Sequence, residues 1–143
     1  IEKHLAHSSV EVTLTHDARY ALMGIARAAI AASGTVVMEA AIMGLPAVVL
    51  YRMSALSYLV GRLLVDVPRF SLPNILVGET FETELLQDAV QPERIAEAME
   101  RIIMDGAPRD YVTERLSRAV ALLGELHAAR RVAEKILALG KHA

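Results

Sequence analysis

The sequence contains no cysteine, which excludes a disulfide framework and thiolate metal sites. Its net charge is only −2, so no global field draws it toward nucleic acid. No apolar stretch reaches the ~20 uninterrupted residues that span a bilayer. The run from Met53 to Val65 is too short and contains Arg62, and the run from Ala40 to Tyr51 contains Pro46. The five histidines, His4, His7, His16, His127 and His142, are scattered. His4 and His7 can share a helix face, but no third ligand follows at a useful spacing, so no metal site is expected. The opening "IEKHLAHSSVEV" has no basic end leading into an apolar core, so no signal peptide is expected. It also lacks a methionine and a clear first element, as a fragment would. Internal repeats and low-complexity tracts are absent.

What is there is apolar. Residues of that kind make up 54% of the 143, enough for a buried core and too many for a disordered tail. The length suits one domain or part of a larger one. "VEVTL" (10–14) is a β-branched run and reads as a strand. "HDARYALMGI" (16–25) reads as a helix with Asp17 as N-cap and Ala18, Ala21, Leu22 and Ile25 at helical spacing. "AAIAA" (28–32) reads as a buried parallel strand. "TVVMEAAIM" (35–43) reads as a helix closed by Gly44 and Pro46. "AVVLY" (47–51) is a buried strand and "SALSYLVGRLLV" (54–65) a helix. This alternation predicts an α/β fold, a parallel sheet with helices on its faces. Residues 66–81, with two prolines and a glycine, read as a loop with at most a short strand, and "TELLQ" (83–87) as one or two helical turns. "QPERIAEAMERIIMD" (91–105) reads as a helix with Pro92 in its first turn and Ile95, Met99, Ile102 and Ile103 inward. Residues 109–140 read as one or two long helices, with Gly124 either the break or a tolerated interior glycine.

The stretch "ASGTVVMEAAIMGLPAVVLYR" (32–52) carries the chemistry. In open parallel sheets, ligands bind where strand ends meet helix starts, and Ser33-Gly34-Thr35 is at such a junction. Glycine permits close backbone approach, and the first helical turn offers unpaired N–H groups and a positive dipole end that suit phosphate. Glu39, about one turn inside the helix, can accept hydrogen bonds from a vicinal diol such as a ribose. A purely structural account also fits: Ser33 as an N-cap, Gly34 as a tight turn and Glu39 as a solvated helix residue. His16 and Asp17 fit a helix start better than a catalytic pair.

The ordered motifs Ala32-Ser33-Gly34-Thr35 with Glu39, Gly44, Pro46 to Val49, Tyr51-Arg52, Ser71-Leu72-Pro73-Asn74 and Glu84-Leu85-Leu86-Gln87 resemble the C-terminal part of the lipid-A-disaccharide synthases. The resemblance covers most of residues 10–105. The family's leucine before the acid is Met38 here and its "PMVV" is "PAVV", both apolar exchanges. The resemblance implies the truncated Rossmann-like C-terminal domain of a GT-B glycosyltransferase over residues 1–105. Residues 106–143 are then C-terminal helices packing on that domain, on an absent N-terminal domain or on a second copy. The implied reaction joins UDP-2,3-diacylglucosamine to 2,3-diacylglucosamine 1-phosphate, forming lipid A disaccharide and UDP. No cofactor and no metal are implied, the UDP-sugar being a substrate.

Carried over to this sequence, Glu39 binds ribose hydroxyls, Ser33, Gly34 and Thr35 face the phosphates or nearby nucleotide atoms, and Asn74 contacts the donor, unless it is only a turn-former after proline. Arg52 either neutralises diphosphate or makes an ordinary ion pair. Gln87 either orients the donor or caps its loop. Tyr51 packs. No catalytic residue is expected in this chain. The base, the acceptor domain and the first strands of the donor domain with their Pro-Gly-Ser-Arg loop are expected elsewhere, leaving an unpaired sheet edge and a fragment inactive alone. The acylated substrates imply a cytoplasmic protein peripheral to the inner membrane, and a homodimer is possible; residues 54–65 fit either a bilayer contact or a helix buried on the sheet. Two other readings remain open here: another UDP-sugar-dependent GT-B transferase or epimerase, and a non-catalytic α/β interaction module.

Overall fold

A computed structural model describes residues 10–54, 68–124 and 128–140. Three strands, β1 (Ala29–Ala32), β2 (Ala47–Tyr51) and β3 (Glu84–Leu86), form a parallel sheet in the order β1-β2-β3. Ala29 pairs with Ala47 and Ala32 with Leu50, while Val49 pairs with Glu84 and Tyr51 with Leu86. The helices are α1 (Arg19–Ile25), α2 (Thr35–Ile42), α3 (Leu72–Val77), α4 (Pro92–Ile103), α5 (Ala107–Leu122) and α6 (Ala128–Gly140).

β2 is the central strand and its two faces are both covered. Val48 and Val49 point to opposite sides of the pleat, and both are fully buried. Val48 joins Ala41, Phe81, Leu85, Ala98, Ile102, Val112 and Leu116 in the larger core. Val49 joins Ala31 and Val37, with Val36 and Phe70 against them. That double burial is why "AVVLY" is a continuous apolar run with no polar alternation. α5 contributes Val112, Leu116 and Ala119 to the interior, so residues beyond 105 are part of this core.

α2 ends where the sequence says it must. Gly44 sits at φ 69°, a left-handed conformation that favours glycine. The Leu45 N–H donates to the Ala40 carbonyl at 2.9 Å and the Gly44 N–H to the Ala41 carbonyl at 3.0 Å, the paired closure of a Schellman motif. Pro46 then releases the chain into β2. Gly124, at φ 72°, follows the end of α5 as the break.

Several elements differ from the sequence reading. Residues 10–14 are exposed and irregular, not a strand; β-branched residues make a strand only against a partner. The third strand is instead Glu84–Leu86, within the stretch read as helical turns; pairing with β2 overrides the weak local preference of "TELLQ". Residues 66–81, read as a loop, contain α3, with Pro73 in its first turn and Gly78 closing it at φ 81°. Asp17 does not cap α1: the N-cap position is Ala18, no side chain bonds there, and α1 buries none of its residues. In α4, Ile95, Ala98, Met99 and Ile102 face the core. Ile103 is 37% exposed, because the inward face of a helix at this spacing passes through 95, 98, 99 and 102. The expected helix at 54–65 and the pair His4 and His7 lie outside the described residues.

Candidate functional site

The C-terminal ends of the three strands lie side by side, roughly 5 Å apart from strand to strand. Ser33 follows β1, Arg52 and Met53 follow β2, and Gln87 follows β3. The parallel register therefore brings three sequence-predicted positions, Ser33, Arg52 and Gln87, to one edge. Ser33 extends the ladder, its N–H donating to the Leu50 carbonyl at 2.8 Å.

The start of α2 is open. Its N-cap position is Gly34, not Ser33, and no side-chain hydrogen bond closes it. A Cβ placed on Gly34 would meet nothing within 4 Å, so there is free space directly in front of the backbone. Gly34 and Thr35 are exposed, and the leading amides of a helix have no partners within it. An anion seated there meets unpaired donors and the positive end of the helix dipole.

Glu39 is one turn further on, on the same face as Thr35, because residues four apart align along a helix. It is not a freely solvated surface acid. Its side chain is 25% exposed, and its Oε2 is 3.5 Å from the Arg19 Nε of α1. That same oxygen is buried and accepts no hydrogen bond. A buried carboxylate oxygen without a hydrogen bond is costly to the protein. Arg19, which sequence reasoning did not single out, lies against the acid beside the open helix start.

The structure places Asn74 elsewhere. It is 0% exposed, and its amide is committed to the chain. Nδ2 donates to the Glu82 carbonyl at 2.9 Å and to Glu84 Oε1 at 2.7 Å. Oδ1 accepts from the N–H groups of Phe81 at 3.1 Å and Glu82 at 3.0 Å. Asn74 thus joins α3 to the entry of β3. Glu84, also missed as an individual residue, completes the joint. Its Oε1 accepts from the Ser71 N–H at 2.9 Å and its Oε2 from the Phe70 N–H at 3.0 Å. The signal for it was present in the "ELLQ" motif, whose acid faces the sheet side that Phe70 covers. Tyr51 packs against Phe70 with ring centroids 5.8 Å apart. Arg52 is exposed. Gln87 bonds both ways with Met53: the Met53 N–H donates to Oε1 at 2.9 Å and Nε2 donates to the Met53 carbonyl at 3.1 Å.

At the other end of the sheet Glu82 is buried, 1% exposed, and accepts from the Ala47 N–H at 3.2 Å. Burial pushes its carboxyl up to about 8, the Ala47 hydrogen bond opposing and the neighbouring Glu84 charge adding to the rise. This end is remote from the open helix start. Among the described residues no three His, Cys, Asp or Glu side chains converge as a metal site, and no helix is long and apolar enough to cross a membrane.

A profile described as "Lipid-A-disaccharide synthetase" matches residues 1–138. Curated relatives bear the name lipid-A-disaccharide synthase. The one from Myxococcus xanthus is 46% identical over 118 residues, 82% of this chain and 31% of its own length. That from Syntrophus aciditrophicus is 42% identical over 130 residues, 91% of this chain and 34% of its own. That from Anaeromyxobacter dehalogenans strain 2CP-1 is 41% identical over 138 residues, 96% of this chain and 36% of its own. The chain therefore spans about a third of the length of the curated relatives it matches. A family profile that covers nearly every residue, over an α/β sheet whose motifs meet at one edge, settles the assignment: the chain belongs to the lipid-A-disaccharide synthetase family.

Proposed function

We propose that this chain supplies the donor-nucleotide site of a glycosyltransferase that joins UDP-2,3-diacylglucosamine to 2,3-diacylglucosamine 1-phosphate, giving lipid A disaccharide and UDP. The observation that carries the reading is the Glu39 carboxylate, one oxygen buried and without a hydrogen bond, one turn inside a helix whose start is uncapped. The diphosphate sits at Ser33, Gly34 and Thr35, where the helix dipole and free amides favour the charge that grows on the leaving UDP. The ribose hydroxyls donate to Glu39. Arg52, at the end of the neighbouring strand, faces the same diphosphate. Asn74 serves from inside, fixing α3 to β3 so that the edge keeps its shape. The reacting sugar, the acceptor and the base belong to the remainder of a protein about three times as long, so this chain alone binds nucleotide and transfers nothing. The working surface is the cytoplasmic face of the inner membrane, where both acylated sugars reside.

Titration with UDP and ADP, followed by ligand-observed NMR, tests the reading. Saturable UDP binding, weaker ADP binding and at least a tenfold loss in Glu39→Ala are expected, consistent with removal of a charge-assisted hydrogen bond worth about 1.5–3 kcal/mol. Equal affinity of Glu39→Ala and the parent chain for UDP would contradict it.

A further inference from the structure

We propose that Gln87 is a positioning residue: its side-chain amide latches the chain leaving β2 to the end of β3, and through Met53 it holds Arg52 toward the nucleotide diphosphate. The latch itself stands on geometry; its use rests on the nucleotide reading above.

Gln87 is the one non-glycine with a positive φ among the described residues, at 51°. A residue with a side chain adopts this left-handed conformation only at a cost, and it persists where the surroundings over-determine it. Glycine would adopt it freely, so the side chain is the reason for the residue. That side chain does one thing here. It exchanges two hydrogen bonds, at 2.9 and 3.1 Å, with the N–H and carbonyl of a single residue, Met53.

The position of the exchange gives it meaning. The backbone ladder between β2 and β3 ends at Tyr51 and Leu86. Past that point the chain turns into a 3₁₀ turn at Gln87–Ala89, and no further backbone rung forms. The primary amide of Gln87, with donor and acceptor side by side, supplies the next rung in place of a peptide group. The left-handed turn of its backbone is what sends the side chain back toward β2 instead of onward.

β3 is thereby polar at both ends with a distinct duty for each. Glu84 accepts from the N–H groups of Phe70 and Ser71, where the chain enters α3. Gln87 grips Met53, where the chain leaves β2. Between Tyr51, paired in the ladder, and Met53, gripped by Gln87, Arg52 is held at both of its peptide bonds. The direction in which its side chain leaves the backbone is then set by the sheet before a ligand arrives, which lowers part of the ordering cost of binding.

The test uses Gln87→Ala and Gln87→Gly. Both remove the amide, and glycine also removes the backbone cost, so at least one variant retains the fold, as checked by its thermal midpoint. Three quantities are read: hydrogen exchange of the Met53 amide, the Kd for UDP, and the Kd for uridine, which lacks the diphosphate. Expected are faster Met53 exchange and an approximately tenfold weaker UDP affinity in both variants, with uridine affinity within about twofold of the parent. Unchanged Met53 exchange overturns the latch. Unchanged UDP affinity, or equal loss for UDP and uridine, overturns its role in placing Arg52. If the parent chain binds neither ligand, the nucleotide reading fails and takes the Arg52 role with it, while the Met53 exchange decides the latch by itself.

Discussion

Glu39, Glu82 and Glu84 carry the same carboxylate into three environments and do three different things. Glu84 is spent on backbone amides and the Asn74 amide, so it holds structure. Glu39 has an arginine beside it and a buried oxygen with no hydrogen bond, so it is not committed to the backbone as Glu84 is. Glu82 is buried with one oxygen unpaired and its carboxyl raised from 4.5 to about 8. A raised acid binds its proton more tightly in the folded state than in the unfolded chain. Its contribution is therefore complete below about 4.5 and lost as pH rises through about 8. Stability is expected to fall across that window by several kcal/mol in the limit of full burial. Glu82→Gln, neutral at every pH, is expected to flatten the slope and to be more stable than the parent at pH 8.5. Denaturant melts at pH 5, 7 and 8.5 check this; parallel pH profiles for the two proteins would refute it.

At the scale of elements, the parts built from strong local signals were legible and the parts built from partners were not. β1, α2, β2 and α4 appear within a residue or two of their sequence bounds, because apolar runs, a glycine stop and a first-turn proline act locally. Gly44 is a case that can be measured. Its φ of 69° with open space around it makes Gly44→Ala a pure backbone penalty, expected at about 1 kcal/mol. Chemical denaturation reads it directly, and an unchanged midpoint would deny the Schellman closure its role. By contrast "VEVTL" looked like a strand and is exposed, while "TELLQ" looked helical and is β3. Neither outcome is written in five residues; each depends on whether β2 is alongside. The site divides the same way. The Ser33 to Glu39 segment was legible as a strand-to-helix junction. Asn74 was legible as important but not as buried, since its partners Phe81, Glu82 and Glu84 come from a strand the sequence did not announce and from the residues that lead into it. Arg19 had no sequence signal, and Gln87 was marked by its motif without any sign of its left-handed backbone.

At the scale of the whole molecule, the chain is a sheet with one side uncovered. β1 has no strand on its outer edge among the described residues, Ile30 is 53% exposed, and α1 buries nothing. Exposed apolar residues gather in that part of the sequence, including Val12, Leu14, Leu22 and Ile25. An unpaired edge with apolar neighbours is a surface that invites further chain, in keeping with relatives about three times as long. The covered half, from α2 through α5, has its own core and presents the strand ends complete. The proposed role of this edge is to receive a UDP group. The most direct measurement is backbone amide shift mapping of the isotopically labelled chain during a UDP titration. Saturable shifts centred on Ser33, Gly34, Thr35, Glu39 and Arg52, with the Glu82 end of the sheet unmoved, are the predicted result. Saturable shifts confined to other surfaces, or none in a chain whose spectrum is folded, would contradict it.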